Sequence, residues 1–156
     1  MKYTYCFPTT IGDLTAVSEN GSLLGLYYGR EIKEAESHTG DTVLKETEKQ
    51  VNEYLAGKRN CFELPLKLDG TPFQRQVWQA LLSLPYGKTA SYEEIAKAVE
   101  KPKASRAVGN AVGANPLLLI VPCHRIIKKS GETGNFGAGR ELKKQLLRLE
   151  GQRDLK

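Results

Sequence analysis

Cysteine is scarce in this chain: 3 residues in 156, an odd number, which excludes the disulfide framework that staples small secreted domains. No apolar run approaches bilayer-spanning length, and that excludes a helical membrane span. The opening Met1-Lys2-Tyr3-Thr4-Tyr5-Cys6 lacks the apolar stretch and small-residue cleavage site of a secretory signal. A reducing, cytoplasmic compartment is therefore expected, and the sequon-like Asn20-Gly21-Ser22 is read as a chance match. Internal repeats and low-complexity tracts are also missing. What remains, 40% hydrophobic and 26% charged residues, is the composition of a globular chain long enough to bury a core.

Charge is unevenly placed. Lys67-Leu68-Asp69-Gly70 reads as a linker, and the chain divides there into residues 1–68 and 69–156. The first part holds 8 Lys/Arg against 10 Asp/Glu, a net of −2; the second holds 15 against 8, a net of +7. An acidic ligand belongs with the second part. Nucleic acid is the first candidate, because neutralising phosphates releases counterions. A solvated basic surface explains the same numbers equally well.

The first part reads as a small mixed α/β unit. Residues 3–7 and 14–18 are predicted strands, and Asn20-Gly21 is a hairpin turn leading to a returning strand at Leu23–Tyr28. Residues 30–41 are polar and read as loop. From Thr42 to Ala56, Leu44, Val51, Tyr54 and Leu55 share a helical face, and Gly57 stops the helix. Cys61–Leu66 is read as a strand. The second part is mainly helical. Thr71-Pro72 caps a helix with an apolar face of Phe73, Val77, Trp78, Leu81 and Leu82. Ser91 with Glu94 forms a capping box for a second helix, running to about Val99. After Lys101-Pro102 a third spans about Lys103–Val112, and the pair suggests a helix-turn-helix. Leu142, Leu146 and Leu149 line a last helix that Gly151 stops.

Three segments carry possible chemistry. The third helix, Ala104-Ser105-Arg106-Ala107-Val108-Gly109-Asn110-Ala111, has one long cation among very small residues. That suits close approach to a minor groove with an inserted side chain better than major-groove reading; tight packing on another helix is the plainer alternative. In Ile120-Val121-Pro122-Cys123-His124-Arg125-Ile126-Ile127, His and Arg interrupt an apolar run beside a thiol, and both favour the nucleophilic thiolate. Neighbours on a strand point apart, so contact between Cys123 and His124 needs a turn or a bridging water. An inert core cysteine is the plainer alternative here. Gly134-Asn135-Phe136-Gly137-Ala138-Gly139 is a tightly turned or mobile loop whose backbone could approach a flat ligand. It does not match a dinucleotide fingerprint. Gly87-Lys88-Thr89 fails as a phosphate loop because Leu82 stands where glycine is required. Cys6, His38 and Cys61 lack metal-ligand spacing, so no metal site is expected.

At Pro122-Cys123-His124-Arg125 the chain resembles the O6-alkylguanine-DNA alkyltransferases, also called methylated-DNA–protein-cysteine methyltransferases. The resemblance continues through Thr71-Pro72-Phe73-Gln74, Val77-Trp78, Pro85-Tyr86-Gly87, Ser91-Tyr92, Arg106-Ala107-Val108-Gly109, Gly113-Ala114-Asn115-Pro116, Gly131–Gly139 and Leu149-Glu150-Gly151. It covers residues 69–151 with ordered motifs and is weaker over 1–68. It implies an α+β protein, with a ribonuclease H-like domain at 1–68 and a DNA-binding and alkyl-acceptor domain of winged-helix type at 69–156.

The implied activity is DNA repair by a single-use transfer of an alkyl group from guanine O6 to Cys123, with O4-alkylthymine as a further candidate substrate. The nucleotide must leave the stack for this. By resemblance, Arg106 fills the gap and Tyr92 turns the nucleotide through its phosphate. Ala104, Ser105, Ala107 and Gly109 let the helix enter the minor groove. His124 acts as base through a water, Glu150 orients it, and Asn115 holds the turn, while Arg125 is structural. Val112, Leu118, Ile126, Asn135, Phe136 and Gly137 are the implied pocket. Phe136 and Gly137 stand where many or some members carry hydroxyls, and Leu118 where proline is frequent, so these positions bear on adduct size. No cofactor is implied; the partner is duplex DNA with the lesion, the protein acting as a monomer away from membranes. A lesion sensor or regulator without transfer is the competing function. A two-part globular protein with a buried core cysteine ranks third. Cys6 and Cys61 have no assigned role and are placed in the core by default.

Overall fold

The computed structural model describes residues 2–30, 36–37, 42–134, 136–153 and 155, and divides into two compact units. One unit holds residues 1–69 and, from much later in the chain, Pro116–Ile120; the other holds 70–115 and 121–156.

The first unit is built on β1 (Lys2–Thr9), β2 (Gly12–Glu19), β3 (Ser22–Tyr28) and β4 (Glu36–Ser37), in sheet order β3-β2-β1-β4. The β1/β2 and β2/β3 pairs are antiparallel and β1/β4 is parallel. Asn20-Gly21 forms the expected turn, both residues at positive φ, 51° and 79°. Residues 14–18 of β2 are all buried, as a strand covered on both faces must be. Helix α1 (Thr42–Leu55) packs on this sheet with Val43, Leu44, Thr47, Gln50, Val51 and Tyr54 buried. Gly57, at φ 76°, ends it: its N–H reaches the Tyr54 carbonyl and Lys58 N–H the Glu53 carbonyl, the paired bonds of a Schellman motif.

Two expectations for this unit change. Cys61–Leu66 is not a strand; it makes a single bridge, Leu66 to Leu23. Leu23 makes both bonds of this parallel bridge, its N–H donating to the Pro65 carbonyl at 2.7 Å and its carbonyl accepting from Lys67 N–H at 2.9 Å; Pro65 has no N–H with which to extend the ladder toward Cys61. Gln50 instead holds the segment, accepting from Glu63 N–H at 2.8 Å and donating to its carbonyl at 3.1 Å. The stretch read as loop contains β4; its remaining residues from 31 to 41, His38 among them, lie outside the described residues. Segment 116–120 enters this unit by bonds from Leu26 N–H to the Pro116 carbonyl and from Leu118 N–H to the Leu26 carbonyl. It then turns tightly at Leu119, where φ is 70° and Ile120 N–H closes on the Leu118 carbonyl. A branched residue in that γ-turn stores about 1–3 kcal/mol of strain.

The second unit centres on α2 (Pro72–Leu82), α3 (Tyr92–Ala98) and α4 (Ser105–Gly113), which pack on one another. Thr71 and Ser91 are N-caps with reciprocal capping boxes to Gln74 and Glu94. Val77, Trp78 and Leu81 of α2 meet Ile95 and Ala96 of α3 and Val108 and Ala111 of α4 in a buried cluster. Trp78 Nε1 donates to the Ala111 carbonyl at 2.9 Å, pinning α2 to α4. The third helix begins at Ser105 rather than Lys103, and Ala104 offers it no side-chain cap. A two-residue parallel pair, β5 (Ala90–Ser91) with β6 (Ile126–Ile127), was not anticipated. Helix α5 (Arg140–Leu149) buries Leu142, Lys143, Leu146 and Leu147, so Leu147 takes the inward place expected of Leu149. Cys61 is exposed and Cys6 only partly covered, which corrects their placement in the core.

Candidate active site

The apolar run around Cys123 is broken by two turns. Pro122, at φ −79° and ψ 63°, centres an inverse γ-turn in which Cys123 N–H donates to the Val121 carbonyl at 2.7 Å. Residues Cys123–Arg125 then form one 3-10 turn, with all three side chains buried. Fixed φ at proline suits the first turn, and the second brings neighbouring Cys123 and His124 onto one compact surface, where a strand would have parted them. Asn115 Nδ2 donates to the Val121 carbonyl at 2.9 Å, tying the end of α4 to this segment.

Glu150 is the hub of the charged groups. It occupies the C-cap of α5, where Gly151, at φ 100°, closes a second Schellman motif through Gly151 N–H to Arg148 and Gln152 N–H to Leu147. Its Oε2 lies 2.7 Å from His124 Nε2 and its Oε1 accepts from Arg125 Nε at 2.7 Å. Arg125 Nη2 also donates to Oε2 at 3.0 Å, and Nη1 donates to the Leu84 carbonyl at 2.7 Å. Glu150 and His124 are almost wholly buried. A carboxylate only accepts, so His124 Nε2 carries the hydrogen. Burial pushes the His124 pKa down, with Glu150 opposing, and the ring is neutral. The pair is therefore a hydrogen bond, and the ion pair is Arg125–Glu150. Arg125 thus joins Glu150 to the Leu84 carbonyl at the end of α2. Tyr86 supports it, its ring lying 5.8 Å from the guanidinium and its hydroxyl donating to the Leu149 carbonyl.

Burial likewise pushes the Cys123 thiol up. An Asn115 hydrogen bond and the nearby Lys143 ammonium oppose it. Tyr92 stands close enough for the cysteine to affect it: burial first, and then Cys123, raise its phenol. A Cβ on Gly109 would lie 3.8 Å from the Tyr92 ring, and one on Gly134 would lie 3.7 Å from its hydroxyl. The absence of side chains at both positions leaves room around that ring.

Cys123, His124, Glu150, Asn115 and Tyr92 are thus brought into one neighbourhood. Helix α4 is two-faced: Val108 and Ala111 are buried, while Arg106, Ala107 and Asn110 are exposed, with Ala104, Ser105 and Gly109 between. Of the implied pocket residues, Ile126 is fully buried, Val112 and Phe136 partly covered and Gly137 exposed. Leu118 is buried in the segment belonging to the first unit, and Asn135 lies outside the described residues. Lys143 was not expected near the cysteine. It sits among charged residues of α5 that reach solvent, and its inward position leaves no local mark in the sequence. Among the described residues no group of three or more His, Cys, Asp or Glu could hold a metal ion.

Comparison with known proteins gives a consistent result. Residues 72–152 match the DNA-binding domain of the 6-O-methylguanine DNA methyltransferases, and residues 1–68 match their ribonuclease-like domain. The constitutive methylated-DNA--protein-cysteine methyltransferase of Bacillus subtilis is 42% identical over 158 residues, covering 96% of each chain. The Haemophilus influenzae protein of that name is 39% identical over 155 residues, covering 96% of this chain and 86% of its own. The crystal structure of Mycobacterium tuberculosis OGT in complex with DNA aligns with a TM-score of 0.89 at 39% identity, over 95% of this chain and 92% of the other.

Proposed function

This chain belongs to the 6-O-methylguanine DNA methyltransferase family, and on that premise we propose that it repairs DNA by moving an alkyl group from guanine O6 to its own Cys123. The observation that carries the assignment of roles is a buried thiol followed directly by an imidazole whose far nitrogen is held by a buried carboxylate. That is a nucleophile, base and orienter in sequence.

The thiol proton passes to His124 Nδ1 through a water, and Glu150 stabilises the imidazolium through Nε2. The Cys123 sulfur attacks the alkyl carbon; the S–C bond forms as the C–O6 bond breaks, and the electron pair stays with guanine. A proton returned to guanine N1 balances the one lost by the thiol. The thioether has no hydrolytic exit, so one molecule repairs one lesion. Asn115 holds the acceptor turn and hydrogen-bonds the sulfur. Arg106, exposed on a helix face of small residues, enters the stack from the minor groove as the nucleotide swings out, and α3 with α4 acts as a helix-turn-helix. Tyr92 faces the extruded base, and the loop around Phe136 and Gly137, with Val112 and Ile126, shapes the pocket. The protein works as a monomer in the reducing cytoplasm, where its acceptor thiol stays free; no helix among the described residues is long and apolar enough to cross a membrane.

Intact mass and peptide mapping after incubation with duplex DNA bearing one O6-methylguanine test this reading. One added methylene on Cys123 is expected, and none with Cys123→Ala, which still binds the lesion. Lesion binding by the parent protein without any mass change would favour a sensor instead. Arg106→Ala should slow transfer from duplex DNA more than from the free base; equal losses would remove the wedge role.

A further inference from the structure

Glu150 occupies a poor place for a buried carboxylate. The last carbonyls of a helix carry partial negative charge and lack partners along the chain, so a helix C-terminus repels an anion and tends to fray. Yet His124 needs this carboxylate at 2.7 Å, because an imidazolium formed in a dry site without it would be an uncompensated charge. The end of α5 therefore has to be held from outside the helix.

The loop that follows α2 holds it. Residues 84–87 grip the end of α5 and the neighbouring Arg125 in succession. The Leu84 carbonyl accepts from Arg125 Nη1 at 2.7 Å. The Tyr86 hydroxyl donates to the Leu149 carbonyl at 3.0 Å, giving a partner to a carbonyl of the last turn. The Gly87 carbonyl accepts from Gln152 Nε2 at 2.7 Å. Gly87 itself approaches so closely that a Cβ there would stand 3.3 Å from the Glu150 carbonyl oxygen, and its φ of 83° also favours glycine. The loop is anchored in turn by Leu84 N–H to the Leu81 carbonyl of α2 and by Lys88 N–H to the Pro85 carbonyl. Tyr86 reaches both sides of the charged group: its ring lies 5.8 Å from the Arg125 guanidinium, and its hydroxyl holds the residue before Glu150. Burial, and after it Glu150, push the Tyr86 phenol up, so it remains an O–H donor at neutral pH.

We propose that Tyr86 is a positioning residue for alkyl transfer, keeping Glu150 in register with His124 through the Leu149 carbonyl and the Arg125 guanidinium. It touches no reacting atom. Its part is to keep the carboxylate at hydrogen-bond distance while the Cys123 proton reaches the imidazole and the ring becomes charged. The inference rests on Cys123 being the acceptor and His124 its base.

The test uses the full-length protein with Tyr86→Phe, which removes only the hydroxyl, and Tyr86→Leu, which removes the ring as well. Thr71→Ala, which deletes the cap at the opposite end of α2, controls for a merely structural effect. Methyl transfer is timed in single turnover with duplex O6-methylguanine in saturating excess, and DNA affinity is read separately in the Cys123→Ala background. Proton NMR of protein carrying isotope-labelled histidine reads the His124 Nε2–H without DNA; the chain has 2 histidines, and His124→Asn assigns the signal. At pH 7 Tyr86→Phe should slow transfer about fivefold and Tyr86→Leu about twentyfold, the losses expected for one hydrogen bond and for that bond plus a cation–π contact. DNA affinity should not change. Both variants should move the Nε2–H signal upfield and speed its exchange with water, as a looser bond to Glu150 requires. Thr71→Ala should do neither. A folded Tyr86→Phe with either the parent's rate or the parent's signal would overturn the proposal, as would a Thr71→Ala that matches its losses. A parent protein that takes no methyl from DNA would overturn the function, and the imidazole signal alone would then judge whether Tyr86 holds Glu150.

Discussion

Replacing Lys143, buried on the inward face of α5, with methionine should make the fold more stable. Burial lowers the Lys143 pKa from 10.5 to about 8, equivalent to about 3 kcal/mol favouring the neutral amine over the ammonium inside the fold. At pH 7 the group is still charged in both folded and unfolded chains, so the parent carries that cost in full. Between about pH 8 and about pH 10.5 the unfolded chain holds a proton that the folded chain has lost, and stability rises with pH across this window. Methionine has similar length and no charge. It also loses the polar contacts of the ammonium, worth about 1 kcal/mol, leaving a net gain of about 2 kcal/mol at pH 7. Urea unfolding followed by the fluorescence of the single Trp, the buried Trp78, reports on the right unit. With a slope of about 2 kcal/mol per molar, the midpoint should rise by about 1 M. The advantage should shrink steadily above pH 8. A variant less stable than its parent at pH 7, or an advantage independent of pH, would refute the account of Lys143 as an ammonium buried at a cost to the fold.

Other consequences are open to the same assays. Glu150→Gln removes the charge that Arg125 and His124 share, leaving a buried guanidinium uncompensated; a loss of about 3–5 kcal/mol is expected by denaturant titration. His124, with its folded pKa below the ordinary 6.5, contributes stability that is complete above that value. This contribution drains as pH falls below it, because the unfolded chain takes up a proton that the fold refuses; His124→Asn should flatten that acid limb. Trp78→Phe forfeits the 2.9 Å bond to Ala111 and should cost about 1 kcal/mol beyond the lost volume. Ser91→Ala removes the cap of α3 and should cost about 1 kcal/mol by thermal unfolding.

Local rules made much of this molecule legible beforehand. The Asn20-Gly21 turn, the Gly57 stop and the Ser91–Glu94 box each depend on a few adjacent residues, and each is where the sequence places it. The Pro-Cys-His-Arg run located the thiol, but its shape depends on two successive turns that a strand-like pattern conceals. Cys61–Leu66 read as a strand, but a parallel ladder running back from the Leu66 bridge would need an N–H at Pro65, which proline lacks. The β5/β6 pair is too short to leave a period, and its partners are far apart in sequence. Lys143 was lost among exposed charges on an amphipathic helix. Its inward position follows only once Glu150 is known to face Cys123's turn, a relation between elements that no local window contains.

Segment 116–120 has a practical consequence for anyone dividing the protein. The chain leaves the second unit after Asn115, places Leu117, Leu118, Leu119 and Ile120 in the first, and returns at Val121, with the Asn115 side chain bonding Val121 across the gap. A fragment begun at Gly70 would retain those four apolar residues but lose Leu26, which hydrogen-bonds the segment through Pro116 and Leu118. Such a patch recruits other copies of itself, so the fragment should precipitate during expression even with its helices intact. Exchanging residues 116–120 for a short polar bridge that still spans Asn115 to Val121 should restore solubility.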